Sequence, residues 1–169
     1  MKDILFRLVL FIVVLSTMNS CSSNSSAEET IVATKSSQVI ANYTYSAFEI
    51  ETMKLINDYR VSIGLNALAK INHISCKSEE HDNYMIKNNV VNHYDFEARS
   101  QNIIKVLGAK AVSENIAYNY ISAKGAVDAW LKSPEHKENI EGNFTHFGIS
   151  IRENPETGRK YFTNIFAKI

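Results

Sequence analysis

Residues 130–140, WLKSPEHKENI, have the pattern of one helix that ends and a second helix that begins directly after it. Pro134 disfavours helical backbone at the residue before it, so an incoming helix should end near Lys132. Ser133 is then a favourable N-cap for the next helix, with Pro134 at the first helical position, where a missing N–H costs nothing. His136 falls in the first turn of that helix, where the helix dipole disfavours an imidazolium. The stretch therefore predicts a neutral histidine that is free to accept a proton or a metal ion.

The composition is that of one globular domain with a substantial core. The chain has 169 residues, of which 45% are hydrophobic, with eight Phe and eight Tyr. Eighteen Lys and Arg residues balance eighteen Asp and Glu residues. This balance, without a basic run, argues against a nucleic-acid partner. We expect a monomer that does not bind nucleic acid.

Residues 1–20 have the pattern of a signal peptide. Lys2 and Arg7 flank the start of the chain, and residues 8–15 form an apolar run too short to span a bilayer. Ser20 before Cys21 resembles a bacterial lipobox, in which the cysteine is lipidated. Met18 and Asn19, which precede Ser20, match that motif poorly. The lipobox interpretation predicts an extracytoplasmic protein anchored in the cell envelope, either periplasmic or surface-exposed. The alternative is a plain secretory signal that is cleaved nearby and releases a secreted protein.

Residues 21–43 are rich in Ser, Thr, Ala and Asn and show little periodicity. They predict a flexible tether that holds a folded domain, residues 44–169, away from the membrane. If Cys21 carries lipid, the second cysteine, Cys76, has no intrachain disulfide partner. Cys76 lies in a helical pattern beside apolar residues, so we expect a small buried residue rather than a nucleophile.

Helices dominate the first part of the domain, and strands dominate its end. Predicted helices run from Ser46 to Ile63, from about His73 to Lys87 with Asn72 as cap, from Phe96 to Leu107, from Ser122 to Lys132, and onward from Ser133. Predicted strands cover Val112 to Tyr120, 147–151 and 160–168, the last two forming a hairpin. The order contains no βαβ repeat. It favours an α+β fold in which helices cover an antiparallel sheet.

Three residues could converge on one cleft, because each lies in a loop or near the start of an element. They are His93, Glu114 and His136, separated by 21 and 22 positions. Two imidazoles and a carboxylate suit zinc, with water as the fourth ligand. The same set could perform acid–base chemistry. Spacing alone leaves hydrogen-bonded structural histidines as the default interpretation, since no H-E-x-x-H motif is present.

The order of several motifs resembles the CAP superfamily of cysteine-rich secretory, antigen 5 and pathogenesis-related 1 proteins, in its bacterial, disulfide-free branch. The motifs are Asn92-His93, 113–117 (SENIA), 130–140, 144–149 (FTHFGI) and 161–166 (YFTNIF), with Asn57, Arg60, Gly64, Leu68, His81, Met85, Arg99 and Gly108 also in place. The resemblance covers about Phe48 to Ala167. The Glu-Asn-Ile-Ala and Ser-Pro-x-His pieces are the most specific.

The resemblance implies an α-β-α sandwich with a small antiparallel sheet between helical layers. It also implies a cleft built on a His/Glu/Glu/His tetrad that binds zinc or another divalent ion in some members. His93, Glu114 and His136 match three of these positions, and Ser133 stands where the pattern has its second glutamate. The loss of a negative charge disfavours calcium and leaves zinc as the candidate cation, and no cofactor is required.

Other residues near the motifs have simpler interpretations. We expect Ser133 to cap a helix rather than act as a nucleophile, and Asn115 to bond backbone groups of the cleft. His146 occupies a half-exposed strand position that could border the site. Trp130 should lie in the core, and His81 should be a hydrogen-bonded core histidine.

Three functions follow from these features. The first is a tethered binding module, since related families bind sterols, fatty acids or other proteins. The second is a peptide or ester hydrolase, with His136 as base or a zinc-bound water as nucleophile and Glu114 assisting. The third is a structural or adhesive domain. The sequence offers no evident nucleophile and no oxyanion-hole motif, which favours the binding module.

Overall fold

The structure is a computed structural model that describes residues 42–169. The predicted signal peptide, Cys21 and the predicted tether up to residue 41 lie outside the described residues. The helices of the described part are α1 Ala47–Ser62, α2 Asn72–Asn88, α3 Phe96–Leu107, α4 Ala123–Lys132 and α5 Pro134–Glu141. Its strands are β1 Ala69–Lys70, β2 Ala111–Tyr118, β3 His146–Glu153 and β4 Lys160–Lys168. None of the described helices is both long and apolar enough to cross a membrane.

The four strands form one sheet in the order β1-β3-β4-β2. β4 pairs antiparallel with both β3 and β2, which confirms the predicted terminal hairpin. Helices α2 and α3 pack on one face of the sheet, and α1, α4 and α5 lie on the other side. This arrangement confirms the predicted α-β-α sandwich. β2, which carries Glu114, is an edge strand. Residues packed on either face of the sheet can therefore approach its unpaired side.

The structure adds one strand that the sequence analysis did not predict. β1 contains two residues and pairs with β3 in parallel, with Ala69 opposite His146. The sheet is therefore not wholly antiparallel. The pairing rests on two backbone hydrogen bonds, from Ala69 N to Thr145 O at 3.0 Å and from Ile71 N to Phe147 O at 3.0 Å. A segment of two residues is too short to show a strand period, so tertiary packing alone defines it.

The starts of α1 and α4 follow local capping rules, and the start of α2 does not. Ser46 and Glu49 form the predicted capping box of α1, and Ser122 Oγ accepts a hydrogen bond from Gly125 N at 3.1 Å at the start of α4. The predicted Asn72 cap of α2 is wrong. Asn72 is the first helical residue, and Ile71 is the N-cap without a side-chain hydrogen bond. Extended backbone at Ile71 follows from its pairing with β3, which overrides the propensity of Asn72 to cap.

The larger core lies between the sheet and helices α1, α4 and α5. Its fully buried members include Ile56, Trp130, Ile140, Phe162 and Phe166. Trp130, predicted to be core, is 1% exposed, and its Nε1–H donates to Ile116 O at 2.8 Å. That bond satisfies the indole N–H and fixes α4 against the edge strand β2. The break between α4 and α5 occurs at Ser133, as Pro134 predicts.

On the opposite face, α2 lies very close to β3. A Cβ at Gly148 would approach Ser75 N and would meet the Ile74 carbonyl carbon at 2.7 Å. Only glycine permits this approach of helix backbone to strand backbone. Cys76 is half-buried on α2 and free, and burial raises the pKa of its thiol, in keeping with an inert side chain.

Candidate functional site

Glu114 is the centre of the candidate site. It lies on β2 and is 6% exposed, and it accepts a bidentate pair of hydrogen bonds from Arg99 of α3. Arg99 Nε donates to Oε2 at 3.0 Å, and Nη2 donates to Oε1 at 2.9 Å. Arg99 Nη1 also donates to Tyr94 O at 2.7 Å, which ties down the loop before α3. Arg99 therefore supplies the counter-charge and the bidentate contact that a buried carboxylate requires.

His93, in the loop between α2 and α3, is oriented by that carboxylate. Its Nδ1 lies 2.9 Å from Glu114 Oε1. An ionised carboxylate only accepts hydrogen bonds, so His93 Nδ1 must carry the proton and donate it. In the neutral ring, Nε2 then keeps its lone pair. The His93 side chain is 49% exposed, so solvent and ligands can reach its ring.

His81 supports the loop that carries His93. The ring is buried, and Nε2 donates to Asn92 O at 2.8 Å, one residue before His93. Burial lowers the pKa of His81, so the ring is neutral, and Nδ1 is a buried acceptor with no hydrogen-bond partner among residues 42–169. The predicted core histidine is therefore in the core but hydrogen-bonded through only one of its nitrogens.

His136 enters from the other side of the sheet, on the first turn of α5. Its Nδ1 lies 2.8 Å from Ser133 Oγ. Ser133 occupies the N-cap position, as predicted, but its side chain makes no capping hydrogen bond because Oγ contacts His136 instead. Burial, followed by the nearby charge of His93, lowers the pKa of His136, while Glu135 opposes this shift. This shift favours the neutral form of the ring.

Two asparagines fasten α5 to β2. Asn115 Nδ2 donates to His136 O at 2.9 Å, and Asn139 Nδ2 donates to Asn115 Oδ1 at 2.8 Å. Asn139 Nδ2 also contacts Glu114 O at 3.3 Å. Neighbouring residues of a strand point to opposite faces of a sheet, so Glu114 and Asn115 hold the two halves of the site from adjacent positions. The edge strand thereby contacts His93 through Glu114 and the backbone of His136 through Asn115.

A pocket of about 360 Å³ adjoins His136. Ser133 and His136 form its polar side, and the aromatic rings of Tyr118, Tyr120 and Trp130 contribute to the remainder. The sequence analysis placed Trp130 in the core and gave the two tyrosines no role. A ligand pocket typically combines apolar walls with a few oriented polar groups, and this one has that character.

His146 is not brought to the cleft. It begins β3, where it lies opposite Ala69 on β1 and Ala167 on β4. Strand β4 separates it from β2 and Glu114. Its Nδ1 lies 2.8 Å from Thr145 Oγ1, its own neighbour in sequence. Of the residues predicted to border the site, Ser133 and Asn115 do so, and His146 does not.

The predicted three-ligand zinc set does not match this geometry. Both oxygens of Glu114 are taken by Arg99 and His93, and residues 42–169 contain no group of three or more His, Cys, Asp or Glu side chains arranged to hold a metal. In this structure Glu114 orients His93. Each imidazole, taken separately, has one feature of a metal-binding histidine. A metal-binding histidine commonly uses one ring nitrogen while the other hydrogen-bonds to a fixed partner, and both rings have such a partner at Nδ1.

Arg99 is the functional residue that the sequence analysis left without a role. It lies on the buried face of α3 and is 8% exposed. An arginine on the inward face of a helix needs a buried anion as its partner. The position of Arg99 on that face was therefore the signal in the sequence that it has a role. The identity of the anion came only from the fold, because Glu114 lies on a different element.

The fold and cleft define a member of a known family. Residues 53–166 match the model of the cysteine-rich secretory protein (CAP) family. The chain belongs to this family, as the ordered motifs indicated.

Individual proteins show the same relationship. The chain is 39% identical over 56 residues to the uncharacterized membrane protein YlbC of Bacillus subtilis, a match that spans 32% of this chain and only 14% of YlbC. An outer surface protein of Borrelia burgdorferi has a similar structure, with a TM-score of 0.62 and 19% identity, covering 76% of this chain and 98% of the Borrelia protein. An extracellular protein of Bacillus anthracis that contains an SCP domain gives a TM-score of 0.63 and 23% identity, covering 76% of this chain and 45% of that protein. At these identities the two solved structures establish the shared fold.

Proposed function

We propose that this chain is an extracytoplasmic, lipid-anchored CAP-domain binding module. In this proposal His93 and His136 hold a divalent cation, zinc, and the adjoining pocket receives an apolar part of the ligand. The observation that carries the proposal is the Arg99–Glu114–His93 arrangement, in which a buried ion pair fixes one proton on His93 and leaves Nε2 as a donor to a cation.

The charge of the site supports zinc over calcium. The negative charge of Glu114 is offset by Arg99, and burial favours a neutral His136. Calcium prefers several anionic oxygen ligands, which this cleft does not offer, whereas zinc binds neutral imidazoles readily. Water or a ligand atom would complete the coordination of the cation. When bound, the cation would act as a Lewis acid that attracts an anionic or carbonyl group of the ligand.

The pocket supports a ligand with an apolar portion. Its volume of about 360 Å³ is at the lower end of the range of roughly 300–1,000 Å³ that small-molecule sites occupy. Aromatic walls beside one polar edge suit a lipid chain, a sterol-like ring system or an apolar side chain of a partner protein. The polar edge, formed by Ser133 and His136, would orient the ligand head group.

Attachment to the cell envelope is supported by the lipobox-like Ser20-Cys21 and by the kinds of protein that resemble this chain. Those relatives are described as a membrane protein, an outer surface protein and an extracellular protein. Expression of the full chain with Cys21→Ser tests the anchor. The wild type should fractionate with membranes and the variant should be released, whereas equal partitioning of the two would contradict the lipid anchor.

Zinc calorimetry on the untagged full chain tests the cleft. We expect one site in the wild type and a loss of at least tenfold in affinity, about 1.4 kcal/mol, for His93→Ala and for His136→Ala. His146→Ala is the matched control, because it removes a histidine that lies outside the cleft. If all four proteins bind zinc equally, or if the wild type shows no binding, the cation proposal is wrong.

A further inference from the structure

We propose that a second cavity of the domain binds an alkyl primary ammonium group, of the kind that a lysine side chain or a free diamine carries. The cavity lies between α2 and the start of α3, and its volume is about 130 Å³. Six residues line it: Glu80, His81, Tyr84, Tyr94, Asp95 and Arg99. This inference does not depend on the zinc site.

The lining of the cavity contains a buried hydrogen-bond acceptor that has no partner. His81 is 1% exposed, and its Nε2 lies 2.8 Å from Asn92 O. A carbonyl oxygen only accepts, so Nε2 carries the proton and Nδ1 of the neutral ring keeps its lone pair. Nδ1 has no hydrogen-bond partner among residues 42–169. A buried acceptor without a partner is costly, which favours an occupant that brings an N–H group into the cavity.

The charges of the lining leave one carboxylate without a counter-charge. Arg99 is paired with Glu114. Lys77 Nζ donates to both oxygens of Glu80, at 2.7 and 2.8 Å. Asp95 remains, and no ion pair within residues 42–169 includes it. The cavity therefore offers a negative charge to an occupant.

Asp95 is also free of the duty that its position usually carries. It is the N-cap of α3, where an aspartate side chain commonly accepts from the backbone N–H groups of the first turn. A capping side chain normally needs extended backbone, whereas Asp95 is left-handed, with φ 58°, and makes no capping hydrogen bond. Its carboxylate is therefore available to a cation.

Two tyrosines form the apolar part of the cavity. The rings of Tyr84 and Tyr94 are stacked, with centroids 4.7 Å apart and planes 12° from parallel. Such a wall suits the methylene groups of an alkylamine, whose charged end stays with the polar groups. A cavity of roughly 150 Å³ holds benzene, so an occupant slightly smaller than benzene, such as butylammonium, matches the volume here.

Other occupants match these features less well. The oxygens of an anion would face the lone pair of His81 Nδ1 and the carboxylate of Asp95, neither of which can donate. A quaternary ammonium carries the charge but has no N–H for Nδ1. Water alone would satisfy Nδ1, and that alternative predicts that no amine binds.

NMR titration of the nitrogen-15-labelled full chain with butylammonium, at pH 7 and constant ionic strength, tests the proposal. The shifts should saturate and should centre on the residues of the cavity. Tetramethylammonium and butyrate should bind at least tenfold more weakly, because the first has no N–H donor and the second has the wrong charge. The absence of a saturable shift with butylammonium, or equal binding of either control ion, would overturn the proposal.

A substitution at Asp95 tests the charge. Asp95→Asn keeps the shape of the side chain and tolerates left-handed backbone, and it should raise the Kd for butylammonium at least tenfold. Asp128→Asn is the matched control, because Asp128 lies on α4, across the sheet from the cavity, and it should leave the Kd unchanged. An unchanged Kd in Asp95→Asn would overturn the proposal.

The ring of His81 gives a readout that needs no variant. In the wild type, the nitrogen-15 signal of Nδ1 should be that of an unprotonated ring nitrogen and should move as butylammonium donates to it. A signal that stays fixed at saturation would overturn the proposal. Putrescine and the N-acetyl methylamide of lysine then distinguish the two sources of the amine. Tighter binding of either one supports the site and identifies its source, and binding of neither overturns the proposal.

Discussion

Replacement of Glu114 with glutamine should destabilise the domain strongly. The substitution preserves shape but removes the charge that partners Arg99. Glu114 and Arg99 are 6% and 8% exposed, so the guanidinium would stay buried without a counter-charge. Loss of one member of a buried ion pair costs about 3–5 kcal/mol, a large share of the roughly 5–15 kcal/mol that stabilises an ordinary domain. The glutamine amide also replaces one acceptor oxygen with a donor NH2 group, so a donor of Arg99 or of His93 would face another donor.

Equilibrium unfolding in urea at pH 7 measures this cost. The midpoint should fall with little change in slope, since the native surface is unaltered. Two controls isolate the buried charge. The double substitution Glu114→Leu with Arg99→Leu removes both charges and should recover most of the loss. Asp58→Asn breaks the exposed Lys54–Asp58 pair and should cost less than about 1 kcal/mol. The reasoning fails if Glu114→Gln costs no more than Asp58→Asn.

Three further substitutions probe the frame around the site. Gly148→Ala should cost about 3 kcal/mol or more in urea unfolding, because the new Cβ would press on the backbone of Ile74 in α2; a loss under about 1 kcal/mol would contradict this packing. Trp130→Phe should cost about 1–3 kcal/mol by the same measurement, since it removes the N–H that satisfies Ile116 O; no loss would show that water replaces the bond. Burial raises the pKa of Asp82 above its ordinary 3.8. The folded chain therefore keeps a proton on Asp82 that the unfolded chain releases. As pH rises above about 4, the free energy of unfolding of the wild type should fall relative to that of Asp82→Asn. A difference that does not change with pH would contradict a protonated Asp82.

Local signals in the sequence were sufficient for most elements of this fold. Pro134 predicted the junction between α4 and α5, and the Ser46–Glu49 box predicted the start of α1. Local signals failed where distant contacts decide the backbone. Asn72 did not cap α2 because the chain before it is drawn into the sheet, and β1 exists only because Ala69 pairs with β3.

The contacts of the candidate residues could not be predicted from the sequence. Positions in loops and at element starts suggested the group His93, Glu114 and His136, and the order of family motifs suggested the same group, but neither signal identified their hydrogen-bond partners. Glu114 looked like a ligand until Arg99 was found to occupy both of its oxygens. The bond from His136 to Ser133 also departs from local expectation. An N-cap serine is expected to bind backbone, and the competition with a histidine side chain is decided by three-dimensional geometry.

The proposed function requires that two imidazoles, and no carboxylate, hold a cation. Anomalous diffraction at the zinc edge, from crystals of the full chain soaked in zinc, tests it most directly. We expect a peak about 2.1 Å from Nε2 of both His93 and His136, with Arg99 still paired to Glu114. A peak coordinated by the Glu114 carboxylate with Arg99 displaced, or no peak beside the two rings at saturating zinc, would contradict it.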